Sequence, residues 1–238
     1  MFDTVILLTG PVEEAALTAL LRKYRPELRI FSAKSAEDLA KVETATLARA
    51  RLIGFVTPVL VPASILGALG YGAYNFHPGP PQYPGWSPSH FAIYDGARHF
   101  GATAHVMVER VDAGPIVAVG MFPILPGTGV LQLEELAFLE LARLFWALAP
   151  ALATQDTPLP TIPIEWAGTK STRRLHATMC EIPADVSRKE LERRITAFGK
   201  GHFGIRPRII LHGYPFHYLP PEIQGQIDAR NQLLAHSQ

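Results

Sequence analysis

With 238 residues, 48% of them hydrophobic, the chain can fill a substantial core, which excludes disordered and fibrous classes. Its 22 basic and 21 acidic residues leave a net charge of +1, a balance that demands neither a nucleic acid nor a membrane surface. Cys180 is the lone cysteine and has no internal partner, and the N-terminus lacks the basic-then-apolar pattern of a signal peptide, so a reducing cytoplasm is the expected setting.

In chain order, residues 5–8 form a short apolar run ending at Thr9-Gly10-Pro11, after which Ala15, Ala16, Ala19 and Leu20 recur at helical spacing. Strand, turn and helix are expected there. Residues 28–31 predict a second strand, Ser35 with Asp38 opens a second helix, and residues 52–56 predict a third strand. A fourth should run over residues 71–76, followed by a loop rich in Pro78, Pro80, Pro81 and Pro84. That loop ends at Ser87-Pro88, read as a helix cap followed by proline at the first helical position. Residues 103–108 and 116–122 predict two more strands, and residues 130–149 a long helix. Within it the apolar stretch 136–153 is interrupted by Glu140 and Arg143, which favours a buried helix over a membrane span.

Strands alternating with helices imply an α/β fold with a doubly wound, parallel sheet. The proline-rich stretch 154–163 reads as a linker, dividing an N-terminal domain (residues 1–153) from a small α+β unit (residues 164–238). In that unit Ser187 and Glu190 form an S-x-x-E capping box for a helix to about residue 198, and residues 208–211 and 216–219 predict strands of a small sheet.

Ligands in open parallel sheets bind beyond the carboxyl ends of the strands, where Asn75 and His77 should lie. Two residues apart on a strand, they project to the same side, with Phe76 turned to the core. Taken alone, such a pair at a strand end is more often a set of capping or hydrogen-bonding groups than of catalysts. A second element changes the balance: Asp112 sits in the turn Val111-Asp112-Ala113-Gly114-Pro115 between two strands.

The run N-x-H-P-G-P-P-x-Y-P-G from Asn75 to Gly85, then G-A-T-A-H from Gly101 to His105 and D-A-G-P-I from Asp112 to Ile116, resembles the formyl-folate-dependent formyltransferase family across residues 55–124. The resemblance implies a Rossmann-like catalytic domain and an Asn, His and Asp catalytic set at Asn75, His77 and Asp112. It implies N10-formyltetrahydrofolate as co-substrate, its pterin against Phe55, Val56, Thr57, Pro58 and Leu60 and against the loop of Val111 and Gly114. For the acceptor it implies contacts from Thr9, Gly10, Pro81, Tyr83 and Trp86. Attack of an amine on the formyl carbon creates an oxyanion that Asn75 and a protonated His77 would stabilise. Asp112 beside His77 should raise the histidine's pKa and position a proton relay. Neither a metal nor a protein nucleophile is required.

Several features bear on the acceptor. Many relatives carry Ser-Leu-Leu-Pro after the histidine, where this chain has Gly79-Pro80-Pro81-Gln82, and a similar H-P-G-P-P run occurs in a hydrogenase-maturation family. Thr9-Gly10-Pro11 replaces the Gly-Ser-Asn phosphate loop of relatives that bind glycinamide ribonucleotide. Residues 161–210 hold ten basic and five acidic residues, so Arg173 and Arg174 are candidates for an anionic acceptor, while Arg188, Lys189, Arg193 and Arg194 read as a solvated helix face. The C-terminal unit is short for a tRNA-binding barrel, which argues against tRNA. A small amine such as an amino sugar is the favoured acceptor; a formyl-folate hydrolase is the enzymatic alternative and a folate-binding protein the non-enzymatic one. His105 reads as a core histidine, and His90, His99, His202, His212 and His217 show no metal-ligand spacing with acids or Cys180, which argues against zinc.

Overall fold

Every residue of β1 (Thr4–Leu8) and β3 (Ala50–Phe55) is buried, because both strands lie inside a sheet covered on its two faces. The computed structural model describes residues 1–167, 169–202 and 204–221. Its main sheet has the order β2-β1-β3-β4-β5-β6, where β2 is Arg29–Ala33, β4 Ala73–His77, β5 His99–Val106 and β6 Ile116–Pro123. The first four strands are mutually parallel, as expected, whereas β5 and β6 run antiparallel to their neighbours. Residues 107–115 are too few for the crossover of a dozen or more residues that parallel pairing needs, so β6 pairs with β5 as an antiparallel neighbour.

Alternation sorts the side chains. Val5, Leu7, Ile53, Phe55, Tyr74, Phe76, Ala102 and Ala104 join one core beneath α1 (Pro11–Tyr24) and α6 (Val130–Thr154). Ile6, Leu8, Leu52 and Ala73 face the other way, toward α2 (Ala36–Ala40), α3 (Thr44–Leu47) and α4 (Ala63–Ala68), of which α3 and α4 are additions to the sequence reading. Helix α6 is long and apolar enough to cross a membrane, but Leu133, Ala137, Leu141, Phe145 and Ala149 form a buried stripe at helical spacing. It also outruns the expected stop at Pro150. Thr154 Oγ1 donates to the Pro150 carbonyl, and the fully buried Arg51 donates to the carbonyls of Ala151, Leu152, Gln155 and Thr157, satisfying the helix end.

That arginine also holds the start of the 154–163 stretch. Farther along, Leu159 N donates to the Tyr74 hydroxyl and Ile162 N to the Ile116 carbonyl, so the stretch is strapped to the main sheet. After it come α7 (Arg173–Cys180), β7 (Glu181–Ile182), α8 (Arg188–Phe198), β8 (Arg208–Leu211) and β9 (Tyr214–His217), with β7-β8-β9 forming a second sheet. Ser187 caps α8 as its motif implies. Strand β9 starts two residues earlier than expected, because His212 and Gly213, at φ 51° and 88°, make a two-residue hairpin turn that sets the register Leu211 opposite Tyr214. Phe198, Ala197 and Cys180 pack on Phe91, Ile93 and Tyr94 of α5 (Pro88–Asp95). The expected C-terminal unit extends over residues 222–238, which lie outside the described residues.

Candidate active site

The antiparallel pairing of β4 with β5 brings Asn75 opposite His105 and His77 opposite Thr103. All four point away from the α1/α6 core, since Phe76, Ala102 and Ala104 occupy it. Thr103 Oγ1 donates to the Gly79 carbonyl at 2.8 Å and so pins the proline-rich loop to the sheet. A side chain on Gly79 would place its Cβ 2.6 Å from His77 Nε2, so the loop hugs the histidine only because that position is glycine.

Asp112 enters from the β5–β6 turn at φ 48°, a left-handed conformation that Asp tolerates better than most residues. Its Oδ2 accepts the Gly85 N–H at 2.8 Å and lies 3.5 Å from His77 Nδ1, while Oδ1 is 3.2 Å from His105 Nε2. The contact of Oδ1 is within ion-pair range but is not an aligned hydrogen bond, which leaves that oxygen acceptor capacity. Burial alone would raise the Asp112 pKa, but the positive charge that His77 and His105 carry when protonated, together with the Gly85 amide, outweighs it and holds the carboxyl well below the usual carboxylate range.

His77 lies between two acceptors, the Tyr83 carbonyl 3.0 Å from Nε2 and the Asp112 carboxylate beyond Nδ1. The expected upward pKa shift is not found. Burial lowers the His77 pKa, and the opposing pull of Asp112 and the Tyr83 carbonyl does not cancel the loss of hydration. A neutral His77 with its proton on Nε2, toward the nearer acceptor, turns a basic Nδ1 toward Asp112.

His105, read from its strand pattern as a core histidine, is buried but belongs to this cluster. Its Nδ1 lies 2.9 Å from the Val106 carbonyl and is the donor there, so Nε2 accepts from the Asn75 amide at 3.2 Å. That bond orients the amide and leaves its second N–H unspent. Trp166 is a second residue that the sequence reading missed. Its ring stands edge-on to His105 and His77, with centroids 5.0 and 5.8 Å away, and its Nε1 donates to the Gly114 carbonyl at 2.8 Å.

The other expected contacts are distributed unevenly. Val56, Thr57, Pro58 and Leu60 follow the carboxyl end of β3, beside Asn75, with Val56 in a left-handed conformation at φ 46° that a β-branched residue rarely adopts. Leu60 is 68% exposed on that rim, whereas the Phe55 ring is buried against Phe76 and Phe145 and offers only backbone. Thr9 is buried and donates to the Phe55 carbonyl; Gly10 precedes α1. Val111 and Gly114 flank Asp112. Pro81 is buried, with its carbonyl bound by Ala167 N, and the Tyr83 ring packs on Phe100, so Tyr83 meets the site through its backbone. The Trp86 ring turns to His176 and His202, away from Asn75, His77 and Asp112. Ser87 does not cap α5: at φ 56° its side chain is turned from the helix amides and makes no cap bond.

The family model for formyl transferase matches residues 14–142, more than half of the chain. The chain belongs to the formyl transferase family. A methionyl-tRNA formyltransferase from Listeria monocytogenes is 31% identical over 66% of this chain and 49% of its own length, so the chain spans about half the length of the curated relatives it matches. Two solved structures share the formyltransferase fold. A sugar N-formyltransferase from Shewanella sp. FDAARGOS_354 superposes with a TM-score of 0.73 at 15% identity, covering 90% of this chain and 96% of that one. An N-formyltransferase from Helicobacter canadensis, in complex with folinic acid and dTDP-3-aminofucose, gives 0.62 at 13% identity, covering 87% and 86%.

Three side chains of metal-ligating type meet outside this cluster. Although their sequence spacing suggests no metal-binding group, His90, Glu134 and His202 converge in space, with their ligand atoms all within 4.8 Å of one another. The residues come from α5, α6 and the loop before β8, a grouping that linear spacing cannot display.

Proposed function

We propose that this protein transfers the formyl group of N10-formyltetrahydrofolate to the amine of a small acceptor such as an amino sugar. The observation that carries this reading is the convergence of Asn75, His77, His105 and Asp112 at the carboxyl end of β4. The free N–H of Asn75 supplies the oxyanion donor when the amine attacks the formyl carbon. The neutral His77 and ionised Asp112 then act together as proton acceptor. As the amine proton leaves, His77 becomes an imidazolium flanked by the Tyr83 carbonyl and Asp112, both of which stabilise that charge. The same proton serves the folate nitrogen as it departs, so the amide forms without net proton change at the pair.

The rim of residues 56–60 and the 111–114 loop flank this cluster and suit a flat co-substrate. The acceptor reading draws on the Helicobacter canadensis enzyme, whose crystals hold a folate and an amino sugar nucleotide, and on the near-complete overlap with sugar N-formyltransferases. In the C-terminal unit Arg193 and Arg194 are committed to Glu190 and to backbone carbonyls, which favours their structural role over tRNA binding. The test is incubation of the purified protein with N10-formyltetrahydrofolate and a panel of amino sugar nucleotides, with the N-formyl product detected by mass spectrometry. Product is expected only with an amine acceptor, and Asn75→Ala or His77→Ala should lower the rate about 10²–10³-fold. Equal folate release without any amine would instead make the enzyme a hydrolase.

A further inference from the structure

Among the described residues outside the catalytic cluster, a group of metal-ligating side chains lies where α5, α6, α7 and the loop before β8 meet. We propose that His90, Glu134 and His202, with His176 beside them, form a binding site for one divalent transition-metal ion of the zinc class that fastens the C-terminal unit to α5 and α6. The three ligand atoms lie within 4.8 Å of one another, and His90 Nδ1 is 3.7 Å from Glu134 Oε1. Ligand atoms on zinc bonds of about 2.0–2.2 Å in tetrahedral array are about 3.3–3.6 Å apart, so one edge of the set is already near that length and the rest needs modest closure. Glu134 and His202 are only partly buried, which gives them room to move and gives an ion a route in.

His176 is an independent sign that the cluster awaits a ligand. Its side chain is fully buried, yet neither ring nitrogen has a hydrogen-bond partner. Buried polar groups are ordinarily satisfied, and an imidazole lone pair can be satisfied by a metal ion. The ring lies 5.0 Å from that of His90 and 5.8 Å from that of His202, which makes His176 the candidate fourth donor. Three imidazoles and one carboxylate are a donor set suited to zinc, cobalt or nickel rather than to calcium or magnesium.

The surroundings match a ligand role. Ser89 Oγ donates to Glu134 Oε1 at 3.0 Å, the kind of outer bond that fixes a ligating carboxylate. The Trp86 ring touches His176 and His202, with centroids 4.9 Å from each, and Trp86 follows Gly85, whose amide holds Asp112. A bound ion would therefore brace the segment that carries the Asp112 contact.

The test uses the full chain, stripped with a chelator and then titrated separately with Zn²⁺ and Co²⁺. One equivalent should bind, Zn²⁺ should raise Tm, and Co²⁺ should give the visible absorption of a four-coordinate nitrogen and oxygen site. Glu134→Gln and His202→Asn, both at partly exposed positions, should keep the native circular dichroism spectrum and lower metal affinity at least tenfold. Absence of stoichiometric binding in the parent protein, or unchanged affinity in both folded variants, would overturn the proposal.

Discussion

The Gly85 amide donates to Asp112 Oδ2 at 2.8 Å, and the same glycine lies against the Ser171 carbonyl at φ 97°. One backbone position thus joins the Asp112 carboxylate to the chain leaving the 154–163 strap. Any Cβ there would meet the Ser171 carbonyl oxygen, and an L-residue disfavours that φ. Gly85→Ala is expected to destabilise the fold by about 1–3 kcal/mol and to lower kcat at least tenfold by shifting the amide from Asp112. Denaturant unfolding and steady-state kinetics on the same preparation check both effects. A variant with normal kcat would show that the amide contact does not matter for turnover.

His105 is expected to act through Asn75. His105→Phe keeps a buried ring but removes the acceptor for the Asn75 amide, so the proposed oxyanion donor loses its orientation. The loss should fall on kcat, about tenfold or more, with folate affinity little changed. If the double variant with Asn75→Ala is no slower than Asn75→Ala alone, the two residues work as one unit; additive losses would separate them.

The pH dependence follows from a buried His77 that must be neutral to accept a proton. Its pKa lies below the reference 6.5, so the rate should fall on the acid side as His77 becomes protonated, instead of on the alkaline side. Asp112 raises that pKa against the stronger effect of burial, so Asp112→Asn should move the acid limb still lower while slowing the reaction. The acceptor amine also titrates and adds its own rise with pH. NMR titration of the His77 imidazole separates the two, and a His77 pKa unchanged by Asp112→Asn would remove the proposed coupling.

In metal-free protein the histidine cluster should make stability acid-sensitive. His90 and His176 have folded pKa values of about 3 and about 4 against an unfolded 6.5, so the unfolded chain takes up protons first as pH falls. Their stabilising contribution is complete above the unfolded value and is lost as pH drops through the folded ones. Tm should therefore decline steadily below that upper value. His176→Phe removes two unpartnered nitrogens and fills the same space, so it should flatten the decline; an unaltered profile would assign the acid sensitivity elsewhere.

Much of the site is legible in the chain because strand geometry is simple. Asn75 and His77 two apart at a strand end must share a face, and Asp112 in a tight turn must lie near a sheet edge. His105 obeys the same alternation but escapes recognition, since a period of two separates faces without saying which face is core and which is site. Trp166 comes from a stretch without periodicity and reaches His105 only through tertiary folding. The His90, Glu134 and His202 cluster draws on separate elements, so no local spacing reveals it. Ser87 misleads for a local reason, because Ser before Pro is a cap signal only when the serine backbone is extended, and here it is left-handed. The His77 pKa could not be read from proximity to Asp112, because desolvation is a property of the folded surroundings.

Arg173 and Arg174 are expected to meet an anionic acceptor. Both are exposed at the start of α7, and among the described residues neither makes an ion pair, in contrast to Arg188, Arg193 and Arg194, each paired with a glutamate. They follow Ser171, whose Oγ donates to the Trp86 carbonyl and whose backbone N–H donates to the Pro84 carbonyl, so they are tied to the loop that holds Asp112. Positive charge placed there should attract a phosphate-bearing acceptor. Replacing both with Ala should raise the acceptor KM several-fold and leave kcat near normal, because the lost interaction is made equally in ground and transition states. Raising the ionic strength should weaken parent binding in the same way and affect the double variant less, since exposed charges are screened over about 10 Å at 0.1 M salt. A KM that is equal in the two proteins at low salt would return both arginines to the solvated surface and direct the search toward an uncharged amine.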